Sequence, residues 1–321
     1  MDQWIVNPKT FIAEMTKDIR DIPYLNHEDI LELNFIRKPG NYFYRRYFRF
    51  GLRSHIMEIL QPKAVETEKK GIIIDGLRLY PRAKPIKMLR IFRTRFDSLK
   101  SAREESKRVK VIVAYLAPDN IARSDEFLVD YSINGKHELI LCGLQEYVEG
   151  EILDPWGYLD EKHLVALLEQ MDFEGLMDSK ITTAIRIQSI RKRTASFIKK
   201  IKDMIIKENH IPDLAGIGNL ILTRYGEIKL VDINNISRVY FNSDIRLDDR
   251  GYPVCDKSIE ALALLEQKLL GRPINKGEVV YKTFLDAPRM KDVMAIEKSF
   301  HNSIKRGKPI APSGSHRDLR Q

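Results

Sequence analysis

The patterns typical of strands and of helices occupy different parts of this sequence. Strand-like segments rich in β-branched residues predominate between residues 71 and 148, interrupted by one helical pattern at 98–116. Residues 161–209 are helical in pattern, and a short apolar hairpin and a further helix follow them. Such segregation predicts an α+β fold with two lobes, because a doubly wound parallel sheet requires strands and helices to alternate.

Composition and charge limit the classes of function. With 43% hydrophobic and 31% charged residues, the 321-residue chain is expected to fold around a core. Its net charge of +9 favours polyanionic partners such as nucleotides, nucleic acid or an anionic membrane surface. Cys142 and Cys255 form no CxxC motif, so neither a disulfide framework nor a structural zinc site is expected. The sequence has no apolar run near the roughly 18 residues of a membrane span and no signal-peptide pattern, which predicts a cytoplasmic location.

Four regions follow from these patterns. Residues 1–60 are predicted to be an N-terminal extension, 61–148 a β-rich domain, 149–300 a mainly helical domain and 301–321 a disordered basic tail. In the extension, residues 37–53 interleave arginines with aromatic residues. This pattern fits an aromatic face in a core with arginines in solvent, and it also fits stacking on nucleic acid.

A loop and a short apolar hairpin connect two acidic residues, Asp213 and Asp232. Asn219 ends the loop, and the predicted strands 220–223 and 228–231 then lead to the second acid. A hairpin brings its two ends together, so Asn219 and Asp232 are expected to lie close to each other. Carboxylate and amide oxygens are suitable ligands for Mg²⁺, which binds proteins through few carboxylates together with substrate phosphates.

The segment GNLILTRYGEIKLVD, with the preceding Asp213, resembles the catalytic core of the protein-kinase-like superfamily. The likeness covers about residues 65–275 and implies a bilobal kinase-like fold of the compact bacterial kind, with ATP and Mg²⁺ as cofactors. It implies that Asp213 is the catalytic aspartate, which orients the acceptor hydroxyl and accepts its proton. Asn219 and Asp232, thirteen residues apart as in that family, would hold the metal.

The same region departs from the family pattern in three ways. Five residues rather than four separate Asp213 from Asn219, and His-Ile-Pro replaces the usual His-Arg before the acid. Asp232 is followed by Ile-Asn rather than Phe-Gly. The loop is therefore compatible with catalysis and also with a derivative that no longer catalyses.

The phosphate-covering loop of the family is missing in its usual form. No G-x-G-x-x-G sequence occurs, and the sequence suggests Lys69-Lys70-Gly71 as a substitute. This absence favours weak nucleotide chemistry.

The segment LILCGLQEYVEGE resembles the hinge between the two kinase lobes. By this likeness the backbone from Gln145 to Val148, including Glu146, would face the adenine. The alternative is an ordinary strand that ends at a turn.

The family also has a Lys–Glu ion pair in its N-lobe. By resemblance Glu105 is the helix carboxylate, and Arg90 takes the place of the lysine, with Met88 pointing at the base. Lys87 is a rival for the basic position. The alternative is that both residues are ordinary surface side chains.

The helix that begins near Asp256 resembles the C-lobe helix whose leading acid braces the catalytic loop. Asp256 would take that role, or it would serve as a plain N-cap.

Three functions follow from this sequence. The first is an ATP- and Mg²⁺-dependent phosphotransferase acting on an unidentified hydroxyl acceptor. The second is a pseudokinase-type binding or regulatory module. The third is a basic protein that binds nucleic acid or a membrane surface through residues 37–53.

Overall fold

The computed structural model describes residues 17–48, 53–173 and 183–305, and it has a mixed α+β fold, as predicted. The chain divides into two compact units. The first comprises Met1–Ser106 and Arg123–Tyr147, and the second comprises Lys107–Ala122 and Val148–Gln321. Within the described residues, no helix is both long and apolar enough to cross a membrane.

The first unit is built on a five-stranded antiparallel sheet with the order β1-β2-β5-β7-β6. Its described helices and strands are α1 (His27–Leu31), β1 (Phe43–Arg46), β2 (Ser54–Leu60), α2 (Pro62–Lys70), β3 (Ile72–Ile74), β4 (Leu77–Leu79), β5 (Lys87–Phe92), the start of α3 (Leu99–Leu116), β6 (Ser124–Ile133) and β7 (Lys136–Gln145). The separate β3–β4 pair forms a two-stranded hairpin.

One face of the five-stranded sheet is packed against the N-terminal segment. Alternate residues of the strands point to this face, as the pleat requires. The fully packed members of this core, from the N-terminal segment and the strands, are Ile19, Leu25, Ile30, Leu33, Tyr44, Met57, Ile59, Leu89, Ile91, Tyr131, Ile140 and Cys142. The described part of residues 1–60 therefore belongs to the first unit, and the prediction of a separate extension is corrected.

The aromatic–arginine interleaving of residues 37–53 coincides with β1. Tyr44 lies in the core, while Arg45 forms salt bridges with Glu58 (2.6 Å) and Glu68 (2.7 Å). The guanidinium of Arg46 lies 3.8 Å from the centre of the Tyr24 ring. Arg49 and Phe50, part of the same pattern, lie outside the described residues.

Strands β6 and β7 meet at the two-residue turn Asn134-Gly135. Asn134 and Gly135 have φ values of 49° and 71°. Both residues tolerate the left-handed conformation that a two-residue hairpin turn requires. On α3 the residues Ala102, Val109, Ile112 and Leu116 are buried, whereas Val113 is 40% exposed.

The second unit contains most of the helices of the described chain. Beyond the end of α3, its elements are β8 (Gly150–Ile152), α4 (Glu161–Phe173), α5 (Thr183–Glu208), β9 (His210–Pro212), β10 (Leu220–Thr223), β11 (Ile228–Leu230), β12 (Ile236–Arg238), α6 (Val254–Leu270), α7 (Val279–Phe284) and α8 (Ala287–Lys305). Helix α8 extends past the start of the predicted tail at residue 301, and the remainder of that tail lies outside the described residues.

Helix α5 supplies the long apolar stripe of the second unit. Its buried residues recur at helical spacing, as predicted, and pack in the same core as α6. Two small sheets, β11-β10-β8 and β12-β9, are formed by β8, which precedes α4, and by the four strands between α5 and α6. These short strands hold the polar loop that begins at Asp213.

Candidate functional site

Asp213 directly follows β9, and its carboxylate is fixed by neutral hydrogen-bond donors. Oδ1 accepts from the backbone N–H groups of Ala215 (2.9 Å) and Gly216 (3.1 Å). Oδ2 accepts from Nδ2 of Asn235 at 2.8 Å. These three donors orient the carboxylate without cancelling its charge.

Asn219 closes the loop that Asp213 opens. Its side-chain Nδ2 donates to the backbone carbonyl of Asp213 at 2.9 Å, and its backbone carbonyl accepts from the N–H of Val231 at 2.8 Å. This orientation leaves the amide oxygen of Asn219 as the atom suited to ligate a cation.

Two glycines accommodate the extra residue of the loop. A Cβ atom on Gly216 would lie 2.5 Å from Nδ2 of Asn219, so only glycine allows this side chain to fold back onto the loop. Gly218 has a φ of 88°, which favours glycine. The five-residue spacing is thus compatible with close contact between Asp213 and Asn219.

The hairpin of β10 and β11 returns the chain to the same loop. The strands pair with Leu220 opposite Leu230, and Asp232 lies two residues after β11. Burial, together with the negative charge of Asp232, raises the pKa of Asp213 to about 6. The structure therefore brings Asp213, Asn219 and Asp232 together.

Asn235 belongs to this site although the sequence interpretation did not include it. Strand β12 pairs with β9 so that Ile236 lies opposite Pro212, which places Asn235 beside Asp213. The Asn235 carbonyl also accepts the backbone N–H of Asp213 at 2.8 Å. The available signal was the polar Asn234-Asn235 pair shortly after Asp232.

Asp256 has a different partner from the predicted one. Its carboxylate accepts hydrogen bonds from Arg289 Nε at 2.6 Å and Nη2 at 3.3 Å, and both side chains are buried. Ser258, two residues later on α6, contacts the loop: its Oγ accepts the N–H of Leu214 at 3.2 Å. The N-cap position of α6 is Pro253, so Asp256 is not the cap either.

The loop is also held from the β8–α4 connection. Nε1 of Trp156 donates to the Ala215 carbonyl at 2.9 Å. The Lys257 ammonium lies 4.2 Å from the centre of the Trp156 ring and forms salt bridges with Glu260 and Glu297. The Lys257 contact holds the indole ring of Trp156 in place, and the indole in turn holds the loop. No sequence pattern predicted this arrangement.

In the first unit, Arg90 is buried in the middle of β5. Across the sheet it lies in one register row with Ile56, Gly143 and Glu126. Glycine at position 143 allows its neighbours on this face to pack closely, because a Cβ atom there would lie 3.3 Å from Ser124 Oγ and 3.5 Å from Glu126 Oε1. The rival basic residue, Lys87, begins β5 on the opposite face, the one occupied by the core.

The other predicted nucleotide-binding residues are distributed over both units. Glu105 is half-buried on the apolar side of α3, whereas Glu104 is exposed. The backbone N–H of Glu146 donates to the Arg123 carbonyl at 2.8 Å just after β7 ends. Glu146 belongs to the first unit and Val148 to the second.

Beside Met88, the residue predicted to point at a base, lies a buried carboxylate. Glu58 is directly opposite Met88 in the β2–β5 pairing and is 1% exposed. It accepts from Arg45 at 2.6 Å and from Arg82 at 3.1 Å. An ion cluster, rather than an apolar surface, therefore covers this part of the sheet.

The predicted phosphate-covering segment does not connect the first two strands of the main sheet. Lys69, Lys70 and Gly71 end α2 and lead into the β3–β4 hairpin. The connection between β1 and β2 is instead formed by residues 47–53, which contain Gly51 in the sequence. Residues 49–52 lie outside the described residues.

The donor set of the second unit suits a hard cation that also binds phosphate. A carboxylate at Asp232 and an amide oxygen at Asn219 fit Mg²⁺, which retains water or substrate oxygens as its other ligands. Among residues 17–48, 53–173 and 183–305, no group of three or more His, Cys, Asp or Glu side chains is placed to hold a metal ion. Comparison with known protein families and with curated proteins found no match.

Proposed function

We propose that this protein is an ATP- and Mg²⁺-dependent phosphotransferase that acts on a hydroxyl-bearing acceptor. The observation that carries this proposal is the cluster of Asp213, Asn219 and Asp232, in which an oriented acid has a pKa of about 6. A carboxylate that titrates near neutral pH is suited to accept a proton during the reaction.

Each residue of the cluster has a distinct proposed role. Asp232 and Asn219 would hold Mg²⁺, which supplies charge neutralisation of the phosphate oxygens when it is bound. Asp213 would receive the proton of the acceptor hydroxyl. Asn235 and the Ala215 N–H would keep that carboxylate in one orientation, because positioning supplies much of the rate in phosphoryl transfer.

The proposed fold is the bilobal kinase-like one, with the first unit as its N-lobe. In protein kinases a strand-borne lysine pairs with a glutamate of the following helix. Arg90 on β5 and Glu105 on α3 occupy the corresponding positions, in the strand before the helix and in that helix. An arginine there would contact phosphate through a planar fork rather than a point charge.

Thermal stability in the presence of nucleotide tests the site. We expect ATP with Mg²⁺ to raise the Tm of the wild type, and ATP with a chelator to raise it less. Asp232→Ala should lose the metal-dependent part of the shift, whereas Asp292→Ala, at an exposed position on α8, should keep it. An unchanged Tm of the wild type in every nucleotide condition would contradict the proposal.

Phosphoryl transfer is tested separately from binding. We expect slow release of phosphate from ATP, since water can replace the unidentified acceptor. Asp213→Asn should retain the Tm shift and lose at least tenfold in rate. Equal rates in Asp213→Asn and the wild type would exclude Asp213 as the catalytic base.

The extra residue between Asp213 and Asn219, together with the arginine at position 90, favours a second candidate, a pseudokinase-type binding module. In active protein kinases the corresponding loop is one residue shorter and a lysine occupies the strand position. For this candidate the metal-dependent Tm shift would occur without any phosphate release. The two measurements above therefore distinguish the enzyme from the binding module.

A further inference from the structure

The β3–β4 hairpin carries an apolar face that is exposed to solvent. Ile72 pairs with Leu79 and Ile74 pairs with Leu77, so these four aliphatic side chains share one side of the hairpin. Their exposed fractions are 38%, 45%, 47% and 68% for Ile72, Leu79, Ile74 and Leu77, respectively. We call this surface the aliphatic face.

A two-stranded hairpin has no core of its own and is marginal in water unless its apolar face is covered. The four side chains of the aliphatic face belong to none of the buried clusters of the described chain. The next residue, Tyr80, is also exposed, at 62%. Contiguous exposed apolar surface of this kind marks an interaction site.

Basic residues outnumber acidic ones in the segment that carries the aliphatic face. Residues 61–87 contain seven basic and three acidic residues. Two of the acids are already paired, Glu66 with Lys70 and Glu68 with Arg45. The charge of the segment is therefore complementary to a polyanion.

The third acid, Asp75, defines how the hairpin can approach such a surface. It lies at the turn with a φ of 50° and precedes Gly76. A carboxylate at the tip opposes insertion of the tip into an anionic or apolar layer. The hairpin would therefore lie flat, with the aliphatic face towards its partner.

We propose that the aliphatic face binds an anionic membrane surface. Aliphatic side chains enter the boundary between head groups and acyl chains, while neighbouring lysines and arginines contact lipid phosphates. Nucleic acid fits less well, since bases stack on aromatic rings rather than on isoleucine and leucine. A second copy of the chain fits less well because it would bring two positively charged hairpins together.

Vesicle co-sedimentation of the full chain tests this surface. The probes are phosphatidylcholine vesicles with and without 30% phosphatidylglycerol (an anionic fraction of roughly the kind such surfaces recognise). We expect the wild type to bind the anionic vesicles, and we expect binding to fall as salt concentration rises.

Two matched double variants separate the hairpin from general apolar exposure. Ile74→Ser with Leu77→Ser removes the centre of the aliphatic face and should weaken partitioning at least tenfold. Ile206→Ser with Val279→Ser alters two residues that are 50% and 59% exposed in the second unit, and it should bind like the wild type. Circular dichroism checks that both variants are folded.

Three outcomes would overturn the proposal. The first is a failure of the wild type to bind anionic vesicles. The second is equal binding by the hairpin variant and the wild type. The third is a concentration-dependent dimer that the hairpin variant abolishes, which would assign the face to a second copy. None of these outcomes depends on whether the Asp213 site is active.

Discussion

Two acids of the second unit, Asp213 and Glu266, differ in the partners that the fold gives them. Glu266 is 3% exposed and accepts from Lys202 (2.6 Å), Arg272 (2.8 Å) and the hydroxyl of Tyr281 (2.8 Å). Burial acts to raise its pKa, but these hydrogen bonds hold the pKa below its usual value. Burial and the nearby negative charge of Asp232 raise the pKa of Asp213, whose carboxylate accepts hydrogen bonds from the neutral donors of Ala215, Gly216 and Asn235.

The difference separates a structural acid from a candidate functional one. Cations satisfy the charge of Glu266 within the fold, which stabilises the folded state at neutral pH. The charge of Asp213 is oriented but not neutralised, which lowers stability at neutral pH. An acid oriented by neutral donors, with no cation bound to it among the described residues, is typical of a site for a ligand or a proton.

The largest expected effect is on the structural acid. Lys202→Met would remove one cation from a buried carboxylate and should lower the free energy of unfolding by about 3–5 kcal/mol at pH 7. The loss should shrink below pH 4.5, because the folded pKa of Glu266 is depressed and its stabilisation disappears as the group is protonated. Urea denaturation at several pH values measures the loss of stability at pH 7 and its decrease below pH 4.5.

Lys199→Met is the control, since Lys199 is exposed on the same helix. If the two variants lost the same stability, the Lys202–Glu266 contact would not be a main stabilising interaction.

The next effect has the opposite sign. The folded pKa of Asp213 is raised, so the folded state binds the proton more strongly, and stability falls as pH rises from 3.8 to about 6. Asp213→Asn has no carboxyl group at this position and so does not lose this stability. The difference in stability between the variant and the wild type should therefore shift in favour of the variant by about 2–3 kcal/mol from pH 3.5 to pH 7.5. Urea denaturation with a chelator present measures the difference. A pH-independent difference between the two proteins would show that Asp213 has an ordinary pKa.

Gly216→Ala tests the geometry that joins Asp213 to Asn219. The new Cβ atom would clash with the Asn219 amide, and such overpacking costs roughly 1–3 kcal/mol. The variant should also lose metal-dependent nucleotide binding, because the Asn219 side chain must move. Gly40→Ala is the control, since a Cβ atom there meets nothing within 4 Å. Unchanged stability and binding in Gly216→Ala would show that the loop is not tightly packed.

The smallest effect concerns Ser258. Ser258→Ala leaves the Leu214 N–H without its acceptor and should cost about 1 kcal/mol, as for a lost buried hydrogen bond. Ser196→Ala, at an exposed position on α5, should be neutral in the same denaturation experiment. If Ser258→Ala did not change the stability, water would have to replace the hydroxyl as the acceptor of the Leu214 N–H.

Local patterns in the sequence predicted the elements that depend on short-range chemistry. The Asn134-Gly135 turn, the buried stripe of α5 and the strand Leu220–Thr223 are each determined by a few neighbouring residues. The clustering of Asp213, Asn219 and Asp232 was also predictable, because one loop and one hairpin connect them.

Long-range partners were not predictable in the same way. The sequence contains no periodicity that assigns Asp256 to Arg289, or Glu58 to Arg82, since each pair joins different elements. The inclusion of β1 and β2 in the main sheet was missed because the strand-like pattern near residues 43–60 is dense in arginine.

Residues 61–86, which separate the neighbouring strands β2 and β5, have a consequence for folding kinetics. The β6–β7 hairpin closes over two residues, whereas the β2–β5 pairing must first close a loop that contains α2 and the β3–β4 hairpin. Loop-closure entropy rises with length, so the β2–β5 contacts should form after the β6–β7 contacts. Substitutions at Val129 or Ile140 should then slow folding of the sheet, while those at Ile56 should mainly speed its unfolding.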